Sequence, residues 1–403
     1  MNWMFSAVAT RWPRAWMIAF VAFVAIKNLE AAPYVPTDDA QVLERLPIRT
    51  TPQHRELKAM QAAAAQSPGD LGRATALASA YIKVSRAEGD PRYLGYAQAA
   101  LRQWWNDPDA PTSVLALRAA ILQSNHHFDA ALADLTKTLQ RDPRNAQALL
   151  TRATVYSVQG KYAASRADCT RLAGTAPEVY AATCIAIADS LTGRARPAYD
   201  SLRRTLASAP GVDASARAWA ETLLGEIADR LGDPAAETHF RMALAADPSD
   251  KYLLGAYSDW LLDRKRPADV IPLVQNDVRV DSLLLRYALA QRALRRPELA
   301  ATAATLRARF DASRARGDVI HLREEARFEL HIAGDPTAAL RLARENWNEQ
   351  REPADLRILA EAAAATGDAA ARDTVNRWLA DSGLEYPAVA AITGVGTGGP
   401  KVK

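Results

Sequence analysis

The stretch TSVLALRAAILQSNHHFDAALADLTKTLQRDP, Thr112–Pro143, decides the fold. Its first half carries Leu115, Arg118, Ala119 and Leu122, and its second half carries Phe128, Ala131, Leu135 and Leu139. Both sets follow the three- and four-residue steps of one helix face. The Asn-His-His break at Asn125–His127 and the Asp142-Pro143 stop divide the stretch into two helices joined by a tight turn. Neither helix could bury its apolar face alone, so neighbours of the same kind are expected on either side.

The neighbours are there. Asp142-Pro143, Pro177, Pro210 and Asp247-Pro248 close successive helical patterns at spacings of 34, 33 and 38 residues. The tripeptide Gly-Asp-Pro recurs at Gly89–Pro91, Gly232–Pro234 and Gly334–Pro336, and Gly367-Asp368 follows 33 residues after the last glycine. Glycine accepts the left-handed conformation after a helix, aspartate caps the next helix and proline suits its first turn. The unit after the opening stretch carries Leu149, Arg152, Ala153, Tyr156, Gly160, Tyr162, Ser165, Cys169 and Pro177. A further unit carries Ile185, Ala186, Gly193, Ala198, Leu202, Leu206 and Pro210, and another Leu224, Gly225, Ala236, Phe240, Ala243 and Pro248. Small residues at Ala119, Ala153, Ala186 and Gly225 mark where two helices must approach closely.

A period near 34 with this order of large and small residues resembles the tetratricopeptide repeat family, and the segment Pro33–Pro47 is similar to the start of exported bacterial proteins built from such repeats. The resemblance is specific over residues 112–248. It continues in looser copies at Leu77-Ala78 with Tyr81, Tyr287-Ala288 with Ala300 and Ala304, and Leu359-Ala360 with Gly367, while Arg264–Pro267 replaces the usual glycine turn. It implies an all-α, right-handed superhelical solenoid of about nine helix-turn-helix hairpins over residues 53–382, opened by a single helix near Gln53–Gln66. Each hairpin is then expected to bury its apolar face only on its neighbours.

Residues 1–31 read as a targeting segment. Arg11 and Arg14 lead into the apolar run Ala15–Ile26, and the small pair Ala31 and Ala32 follows. The run is short of the ~20 residues a spanning helix needs, which favours a signal peptide cut after Ala31. The alternative is an uncleaved anchor in the inner membrane over residues 15–29, edged by Lys27 and tryptophans. Either way the rest of the chain is expected outside the cytoplasm, in the periplasm. Residues 32–52 form a proline-rich lead-in, and residues 383–403, with Gly394, Gly396, Gly398 and Gly399, read as a flexible tail.

Composition narrows the function. Fifty basic and 46 acidic residues interleave along the chain, so no basic stripe suited to nucleic acid stands out. Arginine outnumbers lysine 41 to 9, which with the abundance of alanine reads as the codon bias of a GC-rich genome. The six histidines include no i, i+4 pair with a nearby glutamate, so no zinc site is read. His126 and His127 are expected in a solvated turn, and His321 and His331 with Glu324, Glu325 and Glu329 on an exposed, salt-bridged helix face. Phosphate loops and a nucleophile elbow are absent, and repeats leave no stretch for a catalytic domain. No enzyme activity and no cofactor are expected.

The resemblance implies instead a scaffold that binds a protein or peptide in the concave groove lined by the first helix of each hairpin. The groove positions are Thr75, Ser79, Ser113, Gln123, Thr154, Ser157, Tyr180, Thr183, Glu226, Asp229 and Arg230, with Ala116, Ala120 and Ile187 between them. Members that clamp a carboxylate use Lys, Asn and Arg there; Ala116, Ala120 and Thr154 argue against that mode here. A structural or assembly accessory of an envelope or transport complex is a second reading, and an unrecognised enzyme a third. The repeat alignment also sets Cys169 and Cys184, the two cysteines, on consecutive antiparallel helices. An oxidising compartment would join them, and two buried free thiols are the alternative.

Overall fold

The computed structural model describes Asp38 and residues 51–394 apart from 318 and 319. The expectations for residues 1–31, for most of 32–52 and for 395–403 lie outside the described residues. The chain divides into two units, Met1–His54 and Arg55–Lys403. In the first, Thr51 Oγ1 and His54 Nδ1 are hydrogen-bonded at 2.6 Å.

Helices supply the regular structure of the described residues. After α1 (Pro52–Gln66) come nine hairpins: α2 (Leu71–Glu88) with α3 (Arg92–Ala100), α4 (Thr112–Ser124) with α5 (Phe128–Arg141), α6 (Ala146–Val158) with α7 (Tyr162–Leu172), α8 (Glu178–Ser190) with α9 (Ala195–Ala207), and α10 (Ala214–Arg230) with α11 (Ala236–Ala246). Then follow α12 (Lys251–Asp263) with α13 (Pro267–Val274), α14 (Asp281–Ala293) with α15 (Leu299–Ala315), α16 (Leu322–Phe328) with α17 (Pro336–Glu349), and α18 (Pro353–Thr366) with α19 (Ala369–Ser382). The described residues thus form an all-α array of consecutive helical hairpins.

Capping explains where these helices start. Asp70, Asn145, Asp213, Asp335 and Asp368 each accept a hydrogen bond from the backbone N–H three residues on. The glycines of the three Gly-Asp-Pro turns have φ of 63°, 68° and 78°, the left-handed values that end a helix at little steric cost. Where Arg264–Pro267 stands in place of glycine, Lys265 adopts φ 58° and Pro267 takes the first helical position of α13.

Packing follows the division of labour between the two helices of a hairpin. The second helix buries one stripe: α9 buries Ala195, Ala198, Tyr199, Leu202 and Leu206. The first helix is buried on two sides, as in α4 with Val114, Leu115, Ala116, Arg118, Ala119, Ala120 and Ile121. Close approach is real at Gly225, where an added Cβ would stand 2.9 Å from the ring of the buried Phe240. Two ion pairs repeat with the period of the fold. Arg118 and Asp134 join α4 to α5 at 2.7 Å, and Arg152 and Asp168, each 34 residues later, join α6 to α7 at 2.6 Å. Both are forked, with a second nitrogen–oxygen contact at 2.8 Å. Cys169 on α7 and Cys184 on α8 are joined by a disulfide, with Cα atoms 5.4 Å apart.

Two sequence expectations need correction. The segment 383–393 is not a loose tail: α20 (Pro387–Thr393) is a helix, and Leu384 and Val389 are buried in a cluster with Leu356, Leu359 and Val375. Four apolar residues within that short segment, Leu384, Tyr386, Val389 and Ile392, supply the burial that its glycine neighbours obscured.

Nor does each hairpin touch only its neighbours. The Arg351 N–H donates to the Val158 carbonyl at 2.7 Å, and the Tyr162 hydroxyl to the Arg351 carbonyl at 3.1 Å. Trp378 on α19 abuts Gly160, the turn glycine between α6 and α7. Gly383 lies against Gly193, the turn glycine between α8 and α9, and Glu385 accepts from the Ala195 N–H at the start of α9 at 2.9 Å. Toward the other end, Gly89 meets Val280. The last hairpins therefore pack across the turn edge of the second, third and fourth.

Candidate binding cavity

That closure buries charge. Arg327 of α16 and Arg286 of α14 both grip Asp259 of α12, at 2.9 and 2.7 Å. Arg357 of α18 reaches Asp263 at the end of α12, and also Glu361, which in turn bonds His331 at 2.8 Å. Arg323 bridges Glu352 and Asp355 at 2.9 and 3.3 Å. The buried Asp355 also accepts from Asn346 and from the Glu352 N–H, both at 2.8 Å, and burial pushes its carboxyl up to about 6 against the pull of Arg323. Burial alone would raise Glu361, but the His331 hydrogen bond and Arg357 bring it down to about 2. Burial and the Arg286 and Arg327 guanidiniums act in the same opposed way on Asp259, and the guanidiniums prevail.

Sequence alone set His321, His331, Glu324, Glu325 and Glu329 on an exposed, salt-bridged helix face. Glu324, Glu325 and Glu329 are buried rather than exposed, because α16 and the helical turn Glu329–Ala333 that follows it are covered from several sides and their carboxylates meet arginines there. His126 likewise does not stand in open solvent. It has φ 59°, stacks on Phe128 and lies 3.3 Å from the Gln350 amide, and burial lowers its imidazole to about 4.

Between α10, α12 and α18 the network leaves a cavity of about 120 Å³. Glu226, Asp229 and Arg230 come from the C-terminal turns of α10, Asp259, Trp260 and Asp263 from α12, and Arg357 and Glu361 from α18, with Tyr386 beside them. Asp229 pairs with Arg264 at 2.9 Å. Glu226 accepts the Tyr252 hydroxyl at 2.7 Å, and Tyr252 itself is 59% exposed. Withdrawal of water by the surrounding protein raises the Glu226 carboxyl to about 7, with the Tyr252 hydrogen bond and Arg230 opposing the rise. Arg230 donates one nitrogen to Ser190 at 3.1 Å. Its Nε and the Trp260 Nε1 lack hydrogen-bond partners among the described residues.

Of the positions read as groove, Glu226, Asp229 and Arg230 thus share one cavity. The others do not join it. Ser113 and Thr154 are exposed, and Thr75, Ser79, Gln123, Ser157 and Tyr180 are half-buried, Tyr180 donating its hydroxyl to Asp213 at 3.0 Å. Thr183 is a correction: it is 0% exposed, and its hydroxyl is spent on the Val179 carbonyl, so it offers no groove surface. Trp260 and Arg357 escaped the reading, Trp260 because an aromatic on a first helix looks like core and Arg357 because it lies where the repeat pattern is weakest.

Among the described residues no group of three His, Cys, Asp or Glu side chains is arranged to hold a metal, and no helix is long and apolar enough to cross a membrane. No family model matches the chain, and no curated protein does. Solved structures do. A tetratricopeptide repeat protein from Parabacteroides merdae is 16% identical, with 64% of this chain and 93% of that one covered and a TM-score of 0.38. The tetratricopeptide domain of P58(IPK) is 17% identical, with 82% and 98% covered and a TM-score of 0.22.

Proposed function

We propose that the chain is an exported, non-catalytic scaffold of the cell envelope that binds a protein or peptide partner on the polar first-helix surface of its early hairpins. The observation that carries this reading is the contrast on α4 and α6. Ser113 and Thr154 stay exposed while Val114, Leu115, Ala153 and Val155 beside them are buried, leaving polar surface on consecutive first helices. Stacked hairpins present such surfaces as extended binding faces. The Arg11–Ala32 segment supports export.

The second reading, an assembly accessory that uses its outer helices, is favoured by one observation. Two of the three exposed large apolar side chains among the described residues, Tyr96 and Met242, sit on second helices, α3 and α11, and the third, Tyr252, on the first helix α12.

One experiment addresses both. Tagged protein is recovered from an envelope fraction, beside Ser113→Arg/Thr154→Arg and Tyr96→Ser/Met242→Ser variants. Loss of a stoichiometric partner only in the arginine variant supports the first reading, and loss only in the serine variant supports the second. Full-length protein in the cytoplasm would remove export.

A further inference from the structure

Each of the nine hairpins among the described residues turns through one residue with left-handed backbone, at φ between 54° and 78°. Six of these residues are glycine, and the others are His126, Lys265 and Arg295. The turns of the first four hairpins are covered by later parts of the chain: Gly89 meets Val280, His126 the Gln350 amide, Gly160 Trp378 and Gly193 Gly383. The later turns are bare. An added Cβ at Gly232, Gly334 or Gly367 would find nothing within 4 Å, and Lys265 and Arg295 are exposed. Left-handed backbone costs any residue with a Cβ free energy that glycine avoids. His126 offsets that cost with its contacts in the fold, whereas Lys265 and Arg295, on consecutive hairpins, have no side-chain partner among the described residues. Strain held without an internal contact points to a role outside the fold.

Charge on these two turns agrees. Arg292 and Arg296 flank Arg295, and both are exposed and without an ionic partner among the described residues. The other cations of the α12–α13 turn are committed, Arg264 to Asp229 and Arg266 to Glu237 and Asp269. Asp263 is likewise taken by Arg357, so Glu298 is the one unpaired carboxylate beside the four free cations. The turns also lie level. Asp259 on α12 holds Arg286 on α14 at 2.7 Å, and Lys265 and Arg292 each follow six residues later, about 9 Å along parallel first helices. Packed helices stand about 8–10 Å apart, which sets the spacing of the two groups of cations.

We propose that the α12–α13 and α14–α15 turns form a docking surface for an anionic phospholipid bilayer, with Lys265, Arg292, Arg295 and Arg296 meeting the phosphate headgroups. Cations on two level turns suit a plane of charge, whereas an extended acidic peptide is held between the walls of a groove. None of the exposed large apolar side chains, Tyr96, Met242 and Tyr252, lies on these turns, so the attraction is electrostatic. Each cation near such a surface strengthens binding about fivefold. The assignment needs no protein partner and stands apart from the first-helix surface of the early hairpins.

The test is sedimentation of the full chain with vesicles of phosphatidylcholine alone and of phosphatidylcholine with phosphatidylglycerol. The quantity read is the preference for the anionic vesicles, compared between parent and variants that share the same N-terminal segment. Lys265→Gly/Arg295→Gly lowers the preference about twenty-five-fold, and Lys265→Ala/Arg295→Ala lowers it equally. The glycine pair also raises the denaturation midpoint, because it relieves both turns, and the alanine pair does not. The part of the preference lost in the variants disappears from the parent at about 1 M salt, where screening acts within about 3 Å. Equal preference in the parent and the glycine variant overturns the proposal, and so does a glycine variant no more stable than the parent. Binding of poly-L-glutamate that is lost in the glycine variant, with the vesicle preference unchanged, assigns the turns to an acidic protein segment and overturns it as well.

Discussion

Tyr162 donates its hydroxyl to the backbone carbonyl of Arg351, 189 residues along the chain, at 3.1 Å. An open solenoid has no such bond. It belongs to a seam in which Trp347, Trp378 and Leu356 from the last hairpins share one apolar cluster with Tyr162 and Leu191 from the third and fourth.

The seam can be opened at a turn. Gly160 has φ 73° and an added Cβ would stand 2.5 Å from the Trp378 ring, whereas Gly174, at φ 75°, has nothing within 4 Å. Gly174→Ala should cost about 1–2 kcal/mol for the left-handed backbone alone. Gly160→Ala should cost about 1–3 kcal/mol more for overpacking. It should also speed amide exchange in α19, far away in sequence. Equal denaturation midpoints for the two variants would show that Trp378 does not rest on this turn.

The repeated ion pairs give a second test. Asp168 is buried and holds Arg152 in a forked pair, so Asp168→Ala leaves a guanidinium without its carboxylate and should cost about 3–5 kcal/mol. Asp109, 78% exposed beside Arg141, should cost less than about 1 kcal/mol when replaced by alanine. Urea unfolding of the two variants reads the difference directly.

Reduction of Cys169–Cys184 should lower the unfolding free energy by about 3 kcal/mol for a 15-residue separation. The Cys169→Ser/Cys184→Ser variant should then respond to neither oxidant nor reductant. Equal melting temperatures for oxidised and reduced parent protein would remove the contribution.

Stability should respond to pH in two opposed windows. The Glu226 carboxyl, facing Tyr252, Arg230, Asp229 and Glu352, is raised to about 7, so the folded state holds a proton that the unfolded chain releases near pH 4.5. Its contribution is therefore present below pH 4.5 and is lost as pH rises toward 7. Glu226→Gln should remove that downward slope. Glu361, lowered to about 2, contributes above pH 4.5 and loses that contribution as pH falls toward 2. Chemical denaturation from pH 3 to 8 with Glu226→Gln and Glu361→Gln variants separates the two.

The hairpins were legible because their punctuation is local. Gly232, Asp233 and Pro234 need only their own backbone to mark a turn, and Leu115 or Phe128 only the helix period to mark a buried face. The seam leaves no such mark, since Val158 and Arg351 meet through backbone atoms and any residue types would serve. Burial of charge misleads for a related reason. Asp134 and Asp168 on amphipathic helices, or Glu324 and Glu325 on α16, look like solvated faces until the arginine opposite is known. Glu226, Asp229 and Arg230 could be placed on one helix face by spacing, but the α12 and α18 walls that enclose them are separated from α10 by dozens of residues.

The contact between Gly193 and Gly383 bears on how the chain comes into being. During synthesis the second, third and fourth hairpins emerge with their turn edge bare, and the residues that cover it follow some 190 positions later. Closing so long a loop is entropically costly and slows the final step. Until then Ile187 and Leu191 present uncovered apolar surface, of the sort that partly folded chains aggregate through or chaperones hold. Vectorial synthesis thus leaves this turn edge bare until the last hairpin arrives.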